Sequence, residues 1–429
     1  MLPVALRPLR HRNFALVWTA ALISNAGSWM QAVALGVLVT TSTHRPVWTA
    51  LVAGAAFLPM GLLAPLGGEV ADRIDRRRWL IITTFAEMSV AAGLSVLAGF
   101  DEATPWAVSI LALAGGCASA IGFPAYQAML PDLVGEADLL AAVSLSSAQF
   151  NIGRVIGPAL AGIVLAFGSY TVAFACNAAS FAAVVVALVF LRLAPTETVV
   201  ASTKRQQVLR GAWGRMADGA RVGFSVPQCR SSILLIGIIA ATGSPFIALV
   251  PAMAIEVFHG GAPATSTLVT AQGIGAVVGA LVLGSLSRRA KRGSIVVAAV
   301  LSMPVVLVAY GLAPTLIVAT FAIAVVGVAY ISVLSGLNTV LQLGAPAGVR
   351  GRIVGLYMFS LGTVYPLGAL LQGVLADVLG VRAVTVGGAV VLALALGTIA
   401  VTRPDLIGAV RNAGKAPPAG PSRGGEDTL

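Results

Sequence analysis

The chain has 429 residues, of which 58% are hydrophobic and 10% charged, and its formal net charge is +11. Soluble globular domains contain about 25% charged residues, so this composition excludes a water-soluble enzyme and makes lipid the main solvent of the chain. The three cysteines, Cys117, Cys176 and Cys229, are odd in number and far apart, which argues against a disulfide framework or a metal cluster.

Charges, prolines and glycines divide the sequence into twelve apolar runs, each long enough for a helix that crosses a bilayer core of about 30 Å. We predict an all-α membrane protein with spans 1 to 12 at residues 13–39, 47–70, 79–99, 106–128, 141–167, 170–192, 231–257, 264–286, 294–311, 315–341, 352–376 and 382–402. The first run is too long for the core of a signal peptide and is interpreted as a retained span.

Basic residues predict the orientation of these spans. Of the 27 lysines and arginines, 24 fall on the side that holds both termini, whereas Arg45 and Arg382 fall on the other side and Arg154 lies within a span. The positive-inside rule then predicts that both termini are cytoplasmic, which requires an even number of spans. The net positive charge therefore reflects topology, and we expect no nucleic-acid partner.

One long basic connection divides the spans six and six. We predict a first six-helix bundle in residues 1–192, a cytoplasmic linker in 193–230, a second six-helix bundle in 231–403 and a disordered cytoplasmic tail in 404–429. In the linker, Leu209, Trp213, Met216 and Ala220 recur at helical spacing, which indicates an amphipathic helix on the inner headgroups. A solvated linker is the alternative. Two pseudo-symmetric bundles can expose a central site to each face in turn.

The connection after span 2 carries a distinctive motif, Gly68-x3-Asp72-Arg73-x2-Arg76-Arg77. It resembles motif A of the major facilitator superfamily, with Asp75 in place of the usual glycine, and the resemblance covers residues 7–403. The resemblance implies a cytoplasmic gate made of Gly68, Asp72, Arg73, Arg76, Arg77 and Asp132, in which an arginine pairs with Asp132. The alternative is that these cations only set topology.

Span 5 contains Ser144-x8-Gly153-x3-Gly157-Pro158-x2-Ala161-Gly162. This segment resembles motif C of the drug:proton antiporters of that superfamily, which implies a seal formed by Gly153, Gly157, Pro158 and Gly162. Small residues four apart also support ordinary helix packing, which is the alternative. The wider stretch from Pro124 to Pro158 is similar to the enterobactin-exporter and macrolide-efflux branch, as is Arg350-Gly351-Arg352.

This resemblance implies the major facilitator fold and a secondary active transporter that works by alternating access. Its expected cargo is a small amphiphilic compound, such as a drug, a siderophore or another natural product, exported in exchange for protons. The alternative is a lysophospholipid or lipid transporter, or flippase, of the same fold without proton coupling. We expect a monomer in contact with membrane lipid. The excess of 24 arginines over 3 lysines indicates a GC-rich bacterial source, hence a bacterial plasma (inner) membrane.

Two ionisable residues lie deep in the predicted spans, Glu87 in span 3 and Arg154 in span 5. A charge at the centre of a bilayer costs about 3 kcal/mol or more, so both are candidates for proton coupling, and their opposite signs suggest a pair. The alternative for Glu87 is a structural role. Arg154 has two open roles, the orientation of a substrate carbonyl or anion and the bracing of the bundle.

Polar and aromatic side chains inside the spans are candidates for lining a substrate cavity: Asn25, Trp29, Gln31, Tyr126, Gln127, Gln149, Asn151, Gln272, Asn338, Tyr357 and Tyr365. Uncharged hydrogen-bonding groups among apolar walls suit an amphiphilic ligand, although each alone is more often a hydrogen-bonded contact between helices. The three histidines lie apart and no nucleophile motif is present, so we expect no enzyme activity, no cofactor and no metal.

Overall fold

A computed structural model describes residues 4–71, 74–100, 102–191, 208–286 and 292–413. Twelve of its helices are long and apolar enough to cross a membrane, which confirms the predicted all-α fold. Spans 1 to 12 run over Arg12–Thr43, Pro46–Ala71, Arg76–Gly99, Pro105–Val134, Leu139–Ala166, Tyr170–Val189, Pro227–Val257, Gly261–Leu286, Arg292–Gly311, Leu316–Gly344, Arg350–Leu379 and Val381–Thr402.

Consecutive spans run in opposite directions, so their ends form two faces. We call the face at which span 1 begins and span 12 ends the terminal face, and the other one the opposite face. Tight connections join spans at the opposite face: His44, with φ of 50°, ends span 1 and donates its N–H to the Thr40 carbonyl. Pro46 then begins span 2, where its missing N–H costs no helical hydrogen bond.

The buried side chains of spans 1–6 and of spans 7–12 are arranged differently at the two faces. Near the terminal face, Phe14, Leu80 and Met129 belong to a cluster that contains residues of the first bundle only. Near the opposite face, Val33 belongs to a cluster against which Ile255 of the second bundle packs. The two bundles therefore share apolar contacts at the opposite face and have separate cores at the terminal face.

Glycines allow the bundles to meet at the opposite face. A Cβ atom added to Gly36 of span 1 would lie 2.6 Å from Cγ of Pro251 in span 7. One added to Gly373 of span 11 would lie 2.6 Å from Cβ of Ala50 in span 2. Real Cβ atoms do not come this close to other carbons, so a side chain at either position would force the bundles apart.

The segments outside the spans correct one prediction and extend another. The tail from residue 404 was expected to be disordered, but it begins with a helix, Pro404–Arg411. Its Leu406 and Val410, four residues apart, are both buried, and this apolar stripe explains why the segment folds. Residues 414–429 lie outside the described ranges.

The linker contains a helix, Val208–Ser225, as its helical spacing predicts. The end of this helix packs on the second bundle: a Cβ on Gly219 would lie 2.7 Å from Cβ of Arg352, and Ala220 contacts the buried cluster of spans 7–12. The side chains of Leu209, Trp213 and Met216 lie outside the described residues. This end of the helix is thus held by protein contacts at the start of span 11.

Candidate functional site

One face of span 5 changes from exposed to buried along its length. Leu140 is 81% exposed and Ser147 is also exposed, whereas Arg154 is 8% and Ala161 0% exposed. These four residues are seven apart, about two helical turns, so they lie on the same side of the helix. The space between the bundles therefore opens at the terminal face and ends close to Arg154.

Arg154 lies at the middle of the helix, about 22 Å from the start of span 5. Its Cζ atom is 5.4 Å from the centroid of the Trp29 ring in span 1, a cation–π contact. The ring of Phe150, one turn earlier, meets Trp29 edge-on at 6.0 Å. Gly157 makes room for this arrangement, because a Cβ there would lie 2.5 Å from Cβ of Trp29.

The second bundle supplies the facing wall. Tyr330 of span 10 is near enough to Arg154 for the two groups to interact electrostatically, and its ring meets Phe246 of span 7 edge-on at 5.8 Å. Tyr365 of span 11 meets the exposed ring of Phe57 in span 2 at 5.6 Å. An aromatic ring from each bundle, Trp29 and Tyr330, thus lies near Arg154.

Several buried polar atoms in the middle of the spans have no hydrogen-bond partner among the described residues: Gln149 Nε2, Arg154 Nε, Gln272 Nε2, Thr363 Oγ1 and Tyr365 Oη. An unsatisfied buried polar group costs about 1–3 kcal/mol. All five groups are able to donate a hydrogen bond. Both bundles thus carry buried donors at mid-depth, and a ligand with acceptor atoms that reaches them would satisfy them.

Other predicted cavity residues make contacts inside one bundle. The Gln31 side-chain oxygen accepts from Asn177 Nδ2 at 2.8 Å, and Tyr126 Oη lies 3.3 Å from Ser146 Oγ. The Tyr357 hydroxyl donates to the Leu334 carbonyl at 2.8 Å. These three bonds hold neighbouring helices of the same bundle together, which is the alternative role that the sequence allowed for such residues.

The remaining cavity candidates differ in their exposure. Asn151 donates to the Ser147 carbonyl of its own helix, and Asn338 accepts from Gln342 one turn later. Asn25 is half-buried beside Gly153, and Gln127 is exposed near the terminal end of span 4. The structure therefore gathers Trp29 and Arg154, and separates Gln31, Tyr126 and Gln127 from them.

Glu87 does not pair with Arg154. It is partly exposed on span 3, with the Ser119 hydroxyl of span 4 as the polar group beside it, and span 3 packs against spans 4 and 6. Arg154 instead faces spans 1 and 10. The predicted ion pair is therefore wrong. The two residues lie at a similar depth in the membrane, but on helices at different sides of the bundle.

Comparison with known proteins identifies the family of the chain. Residues 4–411 match the model of a family described as "Transmembrane secretion effector". The chain belongs to this family of the major facilitator superfamily. It is 29% identical over 398 residues to the multidrug efflux pump Tap of Mycolicibacterium fortuitum, covering 91% of this chain and 95% of Tap. It is 27% identical over 413 residues to the enterobactin exporter EntS of Citrobacter koseri, covering 95% of each.

The same fold occurs in solved transporters of low sequence identity. A bacterial homologue of the human lysosomal transporter Spinster, inward-facing and unoccupied, aligns with a TM-score of 0.71 at 14% identity, covering 94% of this chain and 98% of that one. A D-xylose–proton symporter aligns with a TM-score of 0.68 at 14% identity, covering 92% and 98%. The family match and the relatives Tap and EntS, together with the twelve candidate spans, make the chain a multi-pass membrane transporter.

The superfamily's motif A binds mainly within the first bundle. Arg76 Nη1 lies 2.9 Å from Asp132 Oδ2 and also donates to the Ala128 carbonyl, so the expected arginine–aspartate pair is formed. Arg77 donates to the Leu188 and Val189 carbonyls at the end of span 6. Asp72, Arg73 and the surroundings of Gly68 lie outside the described residues, and the gating role remains a prediction.

Asp75, the residue that departs from motif A, caps span 3. Its Oδ1 accepts from the Arg78 N–H at 2.7 Å, and its φ of −52° needs no glycine. An aspartate at this position satisfies one free N–H group of the helix and favours its positive end. The substitution thus exchanges a flexible turn residue for a helix cap.

The motif C residues of this superfamily member make two kinds of contact. Gly153 and Gly157 face Ala26 of span 1 within the first bundle. Gly162 faces the second bundle, because a Cβ there would lie 2.9 Å from Cβ of Ser266 in span 8. Pro158 is buried between them. Span 5 therefore contacts its own bundle near its middle and the other bundle near the opposite face.

An ion pair between the bundles was missed by the sequence reasoning. Arg45 Nε donates to Asp377 Oδ2 at 2.9 Å, and the Val47 N–H donates to Asp377 Oδ1 at 2.9 Å. These two bonds cross from the first connection to the end of span 11 at the opposite face. The signal was present in the sequence, because Arg45 is one of only two cations on that side.

Proposed function

We propose that this transporter exports a small amphiphilic compound from the cytoplasm by alternating access, with protons moving inward in exchange. The observation that supports it best is the space between the bundles that opens at the terminal face and ends at Arg154 and Trp29. The proposal places the terminal face, with both termini, in the cytoplasm of a bacterial plasma membrane, where 24 of the 27 basic residues would lie. The names of the relatives Tap and EntS also support export.

In this mechanism the conformation described here receives substrate from the cytoplasmic side. The apolar part of the substrate packs among the rings of Trp29, Phe150 and Phe57, while polar atoms of the substrate meet the unsatisfied donors at the membrane midplane. Separation of the bundles at Gly36–Pro251 and Gly373–Ala50 then opens the opposite face, and the terminal ends close. The same site is thereby exposed to each side in turn.

Proton exchange would supply the driving force. One elementary charge crossing a potential of 100 mV contributes about 2.3 kcal/mol, and about 1.4 kcal/mol corresponds to a tenfold concentration ratio. One proton per cycle would therefore sustain a gradient on the order of fifty-fold for a neutral solute. Glu87 is the acid at mid-depth in the first bundle, and we propose that it carries the proton.

Because Glu87 lies away from Arg154, its protonation would act on the packing of spans 3 and 4 and not on the substrate directly. Replacement by glutamine keeps the shape and removes the titration. We expect Glu87→Gln to abolish accumulation driven by a pH gradient while downhill flux of the same substrate continues. Undiminished gradient-driven transport by this variant would exclude Glu87 as the proton carrier.

The export function is tested by uptake into inverted membrane vesicles that contain the protein. Energised vesicles should accumulate a fluorescent amphiphilic drug, and a protonophore should release it. Vesicles without the protein provide the control for passive partition. A labelled lysophospholipid, assayed in parallel, distinguishes the proposed cargo from a lipid. Movement of the lipid alone, insensitive to the protonophore, would overturn the proposal.

A further inference from the structure

Resting on the export function proposed above, we infer that the substrate carries an anionic group attached to a flat apolar body, and that Arg154 binds that group. A carboxylate or an ionised phenol on an aromatic ring has this chemistry. The inference deepens the proposed site, because it assigns the charge of the cargo and the residue that selects it.

The first argument comes from how other arginines of the chain are satisfied. Arg76 and Arg77 donate to backbone carbonyls at the terminal face, and Arg382 donates to the Ala313 carbonyl at 3.0 Å. Arg45 pairs with Asp377. Arg154 is more buried than these residues, yet its guanidinium makes no hydrogen bond to a described residue, and its Nε is enclosed without a partner. Unlike these four arginines, Arg154 has donors left for a ligand.

The second argument is the absence of an acid in the surrounding helices. Trp29, the backbone of Gly273 and Tyr330 place spans 1, 8 and 10 around Arg154. Neither these three spans nor span 5 contains an aspartate or a glutamate. A charge in this low-dielectric position interacts more strongly with an opposite charge than it would in water. The site therefore attracts an anion that the protein itself does not supply.

The third argument is geometric. The Trp29 ring lies 5.4 Å from Arg154 Cζ and offers no hydrogen-bond acceptor atom, whereas the planar guanidinium carries five N–H donors. Donors of this group can therefore bind a bidentate acceptor such as a carboxylate. The Trp29 ring beside Arg154 and the Phe150 ring beside Trp29 provide a surface for an aromatic ring. Charge and apolar body would thus bind side by side.

The test uses two fluorescent probes that differ only in charge, dansylglycine and dansylglycinamide. Binding to the purified full-length protein in lipid nanodiscs is followed by dansyl emission. The wild-type protein should bind the carboxylate at least tenfold more tightly than the amide. Arg154→Gln should lose this preference, with at least tenfold weaker binding of the acid and amide binding unchanged within twofold. Arg154→Lys keeps the positive charge but not the planar set of N–H donors. Its preference for the acid should lie between that of the wild type and that of Arg154→Gln.

Arg382→Gln is the matched control, because it removes a hydrogen-bonded arginine at the opposite face and should leave the preference for the acid intact. Thermal unfolding of each variant in the same nanodiscs reports on a structural role. Arg154→Gln should unfold at or above the wild-type temperature, since a buried charge without a partner is removed. A lower unfolding temperature together with equal weakening of both probes would mean that Arg154 braces the bundle, and would overturn the inference.

Two further outcomes separate this inference from the export function. Wild-type protein that binds neither probe, or both equally, overturns the anion site, and export stands if energised vesicles still accumulate a neutral drug. The converse outcome is that nanodisc binding selects dansylglycine through Arg154 while energised vesicles accumulate none of the compounds tested. That result supports the anion site and refutes export.

Discussion

The two ends of the space between the bundles are built from different contacts. At the opposite face, Asp377 bonds to Arg45 and to the Val47 N–H across the bundles, and Gly36 and Gly373 bring helices to close contact. At the terminal face, each bundle buries its own apolar cluster, and Leu140 at the start of span 5 is exposed. A small number of glycine contacts and one aspartate therefore hold the closed end, and the proposed mechanism requires these contacts to break when the cavity opens to the opposite face.

The largest effect on transport should come from a disulfide that locks the opposite face closed. A Cβ on Gly373 lies 2.6 Å from Cβ of Ala50, and a disulfide needs about 3.5–4.5 Å between Cβ atoms, so a slight separation admits the bond. In a variant without the three native cysteines, Ala50→Cys with Gly373→Cys should cross-link on oxidation. Oxidation should stop vesicle transport completely, and reductant should restore it to the rate of the Gly373→Cys single variant. That variant is the control, because its added Cβ by itself presses on Ala50; an oxidised double variant that transports as fast as this control would contradict the closure described here.

The second largest effect on transport should come from a side chain that prevents the opposite face from closing. Leucine at Gly36 would collide with Pro251, and overpacking of this kind costs about 1–3 kcal/mol. The closed end would be disfavoured by about 5- to 140-fold, since 1.4 kcal/mol is a factor of ten. We expect Gly36→Leu to reduce the initial rate of vesicle uptake at least tenfold. Gly397→Leu is the control, because a Cβ at Gly397 meets nothing within 4 Å. An equal loss of uptake rate in both variants would contradict a specific role of the Gly36–Pro251 contact in closure.

Replacement of Asp377, the aspartate of the closed end, should have a moderate effect on closure. Asp377→Asn keeps an acceptor for the Val47 N–H and loses the charge that faces Arg45, whose side chain is 62% exposed. An exposed ion pair contributes about 0.2–1 kcal/mol, so cross-linking between the cysteines at positions 50 and 373 should slow by up to about fivefold. Asp377→Leu loses both bonds and should slow it further. No change in either variant would show that packing alone closes this end.

The smallest effect on closure should come from the terminal face. Arg76 and Asp132 pair within the first bundle and are both partly exposed, so Arg76→Gln should lower the unfolding temperature by a few degrees and leave the cross-linking rate unchanged. Asp132→Asn and the double variant complete a cycle that measures the pair, with an expected coupling of about 0.5 kcal/mol. A change of the cross-linking rate by more than twofold would show that this pair controls the bundles as a gate.

The spans were predictable from the sequence itself. Lipid imposes a minimum length on each apolar run, and the alternation of charged and apolar segments then marks where each helix begins and ends. The pair with Asp132 was expected from the resemblance to motif A, which did not say which arginine forms it. Local order along the chain was sufficient for the spans, whereas the pair needed the resemblance.

The direction of a side chain around its helix was not predictable in the same way. Glu87 and Arg154 have nearly the same depth, yet span 3 lies against spans 4 and 6 and span 5 lies against span 1. Gln31 turns toward Asn177 instead of the cavity for the same reason. Tyr330, which faces Arg154, was missed because its position becomes special only when span 10 is placed beside span 5. Depth follows from residue counting, whereas lateral neighbours follow from packing between distant segments.

The short helix Pro404–Arg411 has a practical consequence for engineering the protein. Asp405 bonds to Arg230 at 2.8 Å at the start of span 7, and Gly293 at the start of span 9 lies against the Val410 carbonyl. A fluorescent reporter or purification tag fused directly after span 12 would replace this helix and remove its contacts with the starts of spans 7 and 9. The same fusion placed beyond residue 413 leaves it intact, so expression trials that compare the two junctions should favour the longer one.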